Sequence, residues 1–275
     1  MTRFNSGAAT FIVSNDATGR HYPPRINHRV VLVVAVANYS KAVFGTSRLP
    51  QRAIVCVGAY FPDRKDVVRR NFDEWGRIHG IPWIRFSVSK AFGQEFAVLF
   101  GVYGAATTLE TFQLLRTGGV RSMLLVGSMY AKRLPVGSIV IPTQVDDMAG
   151  IVRIDDPNAG PATPDEQVLE QMRHELSNRG IKFTEGMTSS TPAVLHGIDH
   201  ISRAVRRNRK VIGVEMETST FLHFARKHDV RAGALLYVSD NERHSIISSG
   251  KTLRAARLDG LRIASGVAVS VLQNF

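Results

Sequence analysis

The 275-residue sequence predicts a single α/β domain in which strands and helices alternate along the chain. Continuous apolar runs of strand length, of which residues 232–238 are the clearest, are typical of strands buried in a parallel sheet. Segments with helical periodicity separate these runs, and in one of them Phe221, Phe224 and Ala225 are spaced to face a core. A hydrophobic content of 44% is sufficient for one large core.

The strand predictions follow the apolar runs in chain order. Residues 1–28 show little periodicity, so we expect an N-terminal arm there and one folded domain over residues 29–275. The β-branched run 30–36 is the first expected strand. Further strands are expected at residues 53–57, 83–88, 96–100, 123–126, 138–142 and 232–238. Gly93 supplies the turn between the runs at residues 83–88 and 96–100.

The helix predictions rest on apolar periodicity and on terminal signals. Helices are expected at residues 66–78, 107–117 and 164–179, after Glu217, and at 249–272. Gly118 and Gly119 end the second of these helices, as C-terminal glycines do. Thr163 is expected to cap the N-terminus of the third, and Gly180 to follow its C-terminus.

Composition restricts the classes of partner. The net charge is +12, but the basic residues are spread along the chain, apart from a cluster at residues 203–210, and no nucleic-acid-binding motif accompanies them. An anionic small substrate explains the charge at least as well, so we expect no nucleic acid partner. A single cysteine, Cys56, in an apolar run predicts a buried residue and a reducing, cytoplasmic setting. Neither a membrane span nor a signal peptide is expected.

Cofactor signals are equally sparse. The nine histidines are scattered, and no His or Cys pair has the spacing of zinc ligands. The glycines at residues 101–104 do not form a dinucleotide-binding fingerprint. We therefore expect neither a metal nor an organic cofactor.

Two carboxylates occupy positions where open α/β sheets collect ligands. Glu217 opens a predicted helix, and Asp240 follows the strand predicted at residues 232–238. Both positions lie at the carboxyl ends of strands, where such sheets bind small molecules. Read as structural residues, Asp240 would be a turn or capping aspartate and Glu217 a solvated residue of a first helical turn, favoured there by the helix macrodipole.

Three sequence blocks resemble the nucleoside phosphorylase and nucleosidase superfamily. The first is Gly-Val-Glu-Met-Glu-Thr at residues 213–218 with Val-Ser-Asp at 238–240. The others are Gly-Val-Tyr-Gly at residues 101–104, and Val-Gly-Ser at 126–128 followed by Val-Gly-Ser-Ile-Val-Ile-Pro at 136–142. The resemblance implies a three-layer α/β/α sandwich with a mixed central sheet, cleavage of the N-glycosidic bond of a nucleoside, and a homohexamer.

The resemblance also implies roles for individual residues. Glu217 would hold the ribose hydroxyls, Met216 would pack on the sugar, and Asp240 would donate a proton to N7 of a purine. General acid catalysis of this kind requires a protonated Asp240 near neutral pH and contributes about 10²–10⁴-fold. Other substrate-binding residues are expected in the same motifs, at Glu215, Gly104, Ser128 and Ser239.

The attacking group is less clearly indicated. Phosphorylases of the superfamily usually carry an Arg before the Val-Gly-Ser block, where this chain has Leu125, and an Arg four residues after the Gly that corresponds to Gly58, where Arg64 is displaced. The C-terminal block is most similar to the catalytic domain of AMP nucleosidase. The predicted reaction is therefore hydrolysis of AMP to adenine and ribose 5-phosphate, with Arg64, Arg243 and His244 as candidate 5′-phosphate ligands.

Two alternatives remain open at this point. One is a purine nucleoside phosphorylase, or a nucleoside hydrolase, that acts on unphosphorylated purine nucleosides. The other is a catalytically silent nucleotide-binding protein. Pyrimidine specificity is disfavoured because the segment at residues 186–196 lacks the Gln and Arg of the uridine-cleaving relatives.

Overall fold

A computed structural model describes residues 3–6, 9–12, 41–46, 48–58, 62–81, 84–193, 210–245 and 250–275. Strands β1 (Arg3–Ser6) and β2 (Ala9–Ile12) pair antiparallel as a small separate sheet within the segment predicted to be an arm. The strand predicted at residues 30–36 lies outside the described residues. So does the basic cluster at residues 203–210, except for Lys210, which is exposed.

In the described part of the chain, nine strands form one mixed sheet in the order β10-β9-β8-β11-β7-β3-β6-β5-β4. Their bounds are β3 (Arg52–Val57), β4 (His79–Ile81), β5 (Ile84–Ala91), β6 (Gln94–Val102), β7 (Ser122–Tyr130), β8 (Ile139–Asp147), β9 (Phe183–Ser190), β10 (Val211–Glu215) and β11 (Arg231–Asp240). The central strands β6, β3, β7 and β11 are parallel, so their carboxyl ends meet at one edge. The mixed sheet implied by the resemblance is thus confirmed.

Part of the sheet closes on itself. Val214 of β10 pairs antiparallel with Tyr130 of β7, although three strands stand between β10 and β7 in the sheet order. This pairing closes β10, β9, β8, β11 and β7 into a ring. Because β7 pairs with β11 as well, the ring brings the end of β10, which leads to Glu217, close to the end of β11, which carries Asp240.

Helices cover both faces of the sheet. They are α1 (Pro62–Arg69), α2 (Ala105–Thr117), α3 (Ile151–Asp155), α4 (Glu166–Asn178), α5 (Thr218–Lys227) and α6 (Lys251–Leu272). One apolar core contains residues of α2 and α5, and a second contains residues of α1, α4 and α6. Alternate residues of β3 divide between them, with Val55 in the first core and Ile54 in the second, as a period of two requires. The predicted three-layer α/β/α sandwich is confirmed.

Most of the predicted elements form close to their expected bounds. Strand β9, by contrast, was not indicated by the sequence patterns. The hairpin between β5 and β6 turns through Phe92 and Gly93, both with positive φ. The final helix begins at Lys251, two residues later than predicted. The predicted cap Thr163 is wrong, because the Asp165 carboxylate accepts the N–H of Val168 and α4 begins at Glu166.

The helix predicted at residues 66–78 is also wrong in its second half. Helix α1 ends at Arg69, and the chain then runs along the edge of β5. The backbone N–H groups of Asp73 and Glu74 both donate to the carbonyl of Lys90, at 2.8 and 3.1 Å. The Asn71 amide donates to the Ser265 hydroxyl at 2.8 Å. These tertiary hydrogen bonds, which replace those of a helix, override the local periodicity.

Candidate functional site

Glu217 is buried at the junction of β10 and α5, next to the turn that precedes α2. Its Oε1 accepts a hydrogen bond of 2.7 Å from the backbone N–H of Gly104 in that turn. The φ of Gly104 is 80°, which favours glycine. A Cβ at Gly104 would stand 3.6 Å from the terminal methyl group of Met216. The structure therefore brings together Gly104, Met216 and Glu217, which the motifs predict at the sugar.

Glu215, the first carboxylate of the motif, is surrounded by hydrogen-bond donors of the protein. Its Oε2 accepts three hydrogen bonds of 2.7 Å, from the N–H of Glu217 and from the N–H and hydroxyl of Thr218. Its Oε1 accepts from the hydroxyl of Ser190. Because Thr218 begins α5, the Glu215 carboxylate satisfies N–H groups that a helix leaves free at its N-terminus. Glu215 thus holds the backbone from which Glu217 projects.

A buried polar network extends this arrangement to neighbouring strands. The Ser190 hydroxyl also accepts the backbone N–H of Ser219 at 2.8 Å, and the Ser219 hydroxyl donates to Asp147 Oδ1 at 3.1 Å. Asp147, Ser190 and Glu215 are the last residues of β8, β9 and β10. The carboxyl ends of three strands are therefore tied to the first turn of α5.

The two motif carboxyls titrate differently because their surroundings differ. Burial raises the pKa of both groups, while the four donors around Glu215 act against burial and favour its charged form. Among the residues that the structure describes, Glu217 accepts hydrogen bonds from two groups, the N–H of Gly104 and the N–H of Met216. The charge on Glu215 adds to the effect of burial. The pKa of Glu217 rises to about 8. A carboxyl with this pKa, held in a strand-end site, is typical of functional residues.

Asp240 is the last residue of β11 and is partly exposed. The pairing of β11 with β7 shifts register between Val238 and Asp240, which is the mark of a β-bulge at Ser239. The Ser239 hydroxyl hydrogen-bonds the Asp240 carboxyl and lies 3.2 Å from the Met129 carbonyl oxygen. From α6, the Nε of Arg257 donates to the Ser239 carbonyl at 2.6 Å. The bulge that orients Asp240 is therefore held from two sides.

Arg64 lies in a narrow cleft at the carboxyl end of β3. The cleft is also lined by Gly58, Cys56 and Tyr237, and a Cβ at Gly58 would stand 3.2 Å from the Arg64 Nη1. Ser128 hydrogen-bonds Tyr237, and the Arg64 charge acts on the same tyrosine. Burial raises the pKa of the Cys56 thiol to about 12 although the Arg64 charge opposes it, which is consistent with the predicted core residue.

Arg243 and His244 follow Asp240 in an exposed turn. Their backbone N–H groups each donate to the Asn241 side-chain oxygen at 3.0 Å, and the Asn241 amide donates to the Leu134 carbonyl at 3.0 Å. The turn is thus fixed by hydrogen bonds to Asn241, and Arg243 and His244 are both exposed.

Several residues of the site escaped the sequence reasoning. Ser190 belongs to a run of four buried hydroxyl residues at 188–191, and such a polar run at a strand end is a signal of a buried network. Arg257 lies four residues before Leu261 and four after Leu253, so it interrupts the apolar face of α6. A charge at such a position could have indicated a buried partner.

Across the ranges that the structure describes, no group of three or more His, Cys, Asp or Glu side chains could hold a metal ion. Among these same ranges, no helix has the length and apolar character needed to cross a membrane.

The sequence of residues 55–268 matches the phosphorylase superfamily. The chain belongs to this superfamily. Membership supports the cleavage of nucleoside N-glycosidic bonds in general. No curated protein sequence matches the chain.

Solved structures of this superfamily fold superpose on the chain at low sequence identity. A uridine phosphorylase from Vibrio fischeri ES114 has a TM-score of 0.72 at 19% identity, covering 82% of this chain and 93% of its own. A purine nucleoside phosphorylase from Toxoplasma gondii, in complex with immucillin-H, has a TM-score of 0.71 at 14% identity with the same coverage. A 5′-methylthioadenosine/S-adenosyl homocysteine nucleosidase from Campylobacter jejuni has a TM-score of 0.68 at 13% identity, covering 82% of this chain and all of its own. These similarities establish the fold.

Proposed function

We propose that this member of the phosphorylase superfamily hydrolyses the N-glycosidic bond of a purine nucleotide, with AMP and water giving adenine and ribose 5-phosphate. The observation that carries the hydrolytic reading is Leu125. It occupies the place before the Val-Gly-Ser block where superfamily phosphorylases usually carry an anion-binding Arg, and it is fully buried in an apolar core. A leucine there supplies no charge for a phosphate nucleophile, so water is the better-suited attacking group.

The two carboxyls divide the chemistry between leaving group and sugar. Asp240 donates its proton to N7 of the purine as the bond between C1′ and N9 breaks, so the base leaves neutral. Water then adds to C1′, and the proton it releases restores the acid. Asp240 is accessible to a substrate because it is partly exposed at a strand end, and the bulge at Ser239 fixes its backbone.

Glu217 binds the ribose hydroxyls and faces the positive charge that develops on the sugar. Its pKa of about 8 means that the carboxyl is largely protonated in the free protein at neutral pH. A cationic sugar favours the charged form, so the interaction strengthens as the transition state forms. Glu215 has the different task of holding the helix N-terminus, since both of its oxygens are engaged by the protein.

The 5′-phosphate is assigned to Arg243 and His244, whose exposed side chains follow Asp240 in the chain. Both residues lie in the turn that follows the strand ending at Asp240. The expected hexamer and cytoplasmic location stay predictions.

One observation favours phosphorolysis as the second candidate. Arg64 lies against the turn at Gly58, at the end of β3, although it is displaced in sequence from the expected position. Ser128 hydrogen-bonds Tyr237, which lines the same cleft. The cleft therefore offers anion ligands in place of the Arg that Leu125 replaces.

Product analysis separates the candidates. We would incubate AMP, adenosine and inosine with the protein, with and without phosphate, and identify the sugar product. Ribose 5-phosphate formed from AMP without phosphate supports the proposal, whereas ribose 1-phosphate formed only with phosphate supports phosphorolysis. Failure to cleave any of the three would contradict both and favour a nucleotide-binding protein without activity.

A further inference from the structure

Tyr130 lies between the two strands that lead to the proposed catalytic residues. It is the last residue of β7, and it pairs with Asp240 of β11 on one side and with Val214 of β10 on the other. Neighbouring strands are about 4.8 Å apart. Paired residues on adjacent strands project their side chains from the same face. Tyr130 therefore shares a face with Asp240 and stands one strand away from the segment that leads to Glu217.

The surroundings of Tyr130 give its side chain an apolar and a polar part. Tyr130 packs against the apolar cluster formed by Val211 and Val214 of β10. Burial raises the pKa of its hydroxyl, and the negative charges of Glu242 and Asp240 raise it further. The hydroxyl is therefore protonated at neutral pH and able to donate a hydrogen bond. Lys132, two residues after the end of β7, pairs with Glu242 at 3.0 Å.

We propose that Tyr130 contacts the purine base and is a specificity-determining residue of the reaction. The proposal rests on the proposed function, in which Asp240 meets N7 of the base and Glu217 holds the sugar. A substrate that reaches both residues must cross the strand end between them, which is occupied by Tyr130. Because this side chain is only partly buried, its free surface can pack on the base while the hydroxyl donates to it.

The size of the expected effects follows from these two contacts. Loss of aromatic stacking on a base costs about 1–3 kcal/mol by alanine substitution, which corresponds to roughly 5- to 150-fold in affinity. Loss of a single hydrogen bond weakens binding by about 2- to 10-fold. Tyr130→Ala should therefore weaken base binding strongly, and Tyr130→Phe only modestly.

Calorimetric titration of the full-length protein with adenine, hypoxanthine and ribose 5-phosphate tests the proposal without depending on turnover. Tyr130→Ala should weaken binding of a purine base by about 5- to 150-fold. The affinity for ribose 5-phosphate should change by less than about 3-fold, because the sugar ligands remain. Phe92→Ala, which removes an exposed ring from the β5–β6 turn, is the control and should change neither affinity.

Three outcomes would overturn the proposal: unchanged base affinity in Tyr130→Ala, an equal loss for base and sugar phosphate, or no binding of either base by the wild type. If Tyr130→Ala does not fold, Tyr130→Phe decides instead. The proposal is then contradicted if this variant binds adenine and hypoxanthine with the affinities, and with the preference between them, of the wild type. Should the protein bind bases through Tyr130 but release no ribose 5-phosphate from AMP, only the proposed function fails.

Discussion

Replacing Glu217 by Gln should change how the stability of the protein depends on pH. Glu217 is buried, and its pKa is about 8 in the folded protein against an ordinary value of 4.5. The folded state therefore binds more protons than the unfolded state between these two values. It follows that the free energy of unfolding falls as pH rises through this window. Gln carries no titrating proton, so the substitution should remove the contribution of this residue.

The magnitude follows from the two pKa values. Each pKa unit of difference corresponds to 1.36 kcal/mol, so the full interval is worth at most about 5 kcal/mol. This loss of stability is absent below pH 4.5, grows as pH rises through neutral and is complete above pH 8. A domain is stable by only about 5–15 kcal/mol, so the loss should be easily measured.

The assay is urea unfolding, monitored by circular dichroism, at a series of pH values between 5 and 8.5. The wild type should lose several kcal/mol of stability across this range that the Glu217→Gln variant does not lose. Glu110→Gln, which alters an exposed glutamate of α2, is the matched control and should follow the wild type. Parallel pH profiles for the wild type and Glu217→Gln would refute the assignment of a protonated, buried Glu217.

Three further predictions concern the reaction. Asp240→Asn should lower kcat on AMP by about 10²–10⁴-fold, because an amide cannot protonate N7, whereas the exposed Asp259→Asn should not; a near wild-type rate in steady-state assays would remove Asp240 as the acid. A 2′-deoxy substrate should be poor for the wild type, and comparable kcat/KM on ribo and deoxyribo substrates would place Glu217 away from the ribose. Two charge-assisted hydrogen bonds to a 5′-phosphate are worth about 10²–10⁴ in kcat/KM, so Arg243→Ala combined with His244→Ala should abolish a preference for AMP over adenosine. That preference should also weaken at higher ionic strength, and an intrinsic preference for adenosine would contradict the nucleotide substrate.

Elements with strong local signals could be predicted from the sequence. The apolar run that forms β11 is buried on both faces, and its pattern needs no information from elsewhere in the chain. The final helix combines a long apolar face with α-helical spacing. The second half of the helix expected at residues 66–78 failed for the opposite reason. Its residues have helical periodicity, but backbone pairing with Lys90 at the edge of β5 stabilises an extended path.

The candidate site divides in a similar way. The order and spacing of the motifs indicated Gly104, Met216 and Glu217, and the structure places these residues in contact. The same motifs gave no means of separating the tasks of Glu215 and Glu217. That distinction depends on Ser190, whose hydroxyl is supplied by another strand.

The sequence by itself determined that two carboxylates stand at the ends of strands, because alternating strands and helices leave such positions at one edge of a sheet. Only the tertiary structure decided which carboxyl is saturated by donors and which has a raised pKa. Glu217 meets the N–H of Gly104, which lies 113 residues earlier in the chain. The closure of β10 onto β7 likewise put Tyr130 between the two strand ends. Burial and hydrogen bonding are set by neighbours in space, and local sequence patterns do not contain that information.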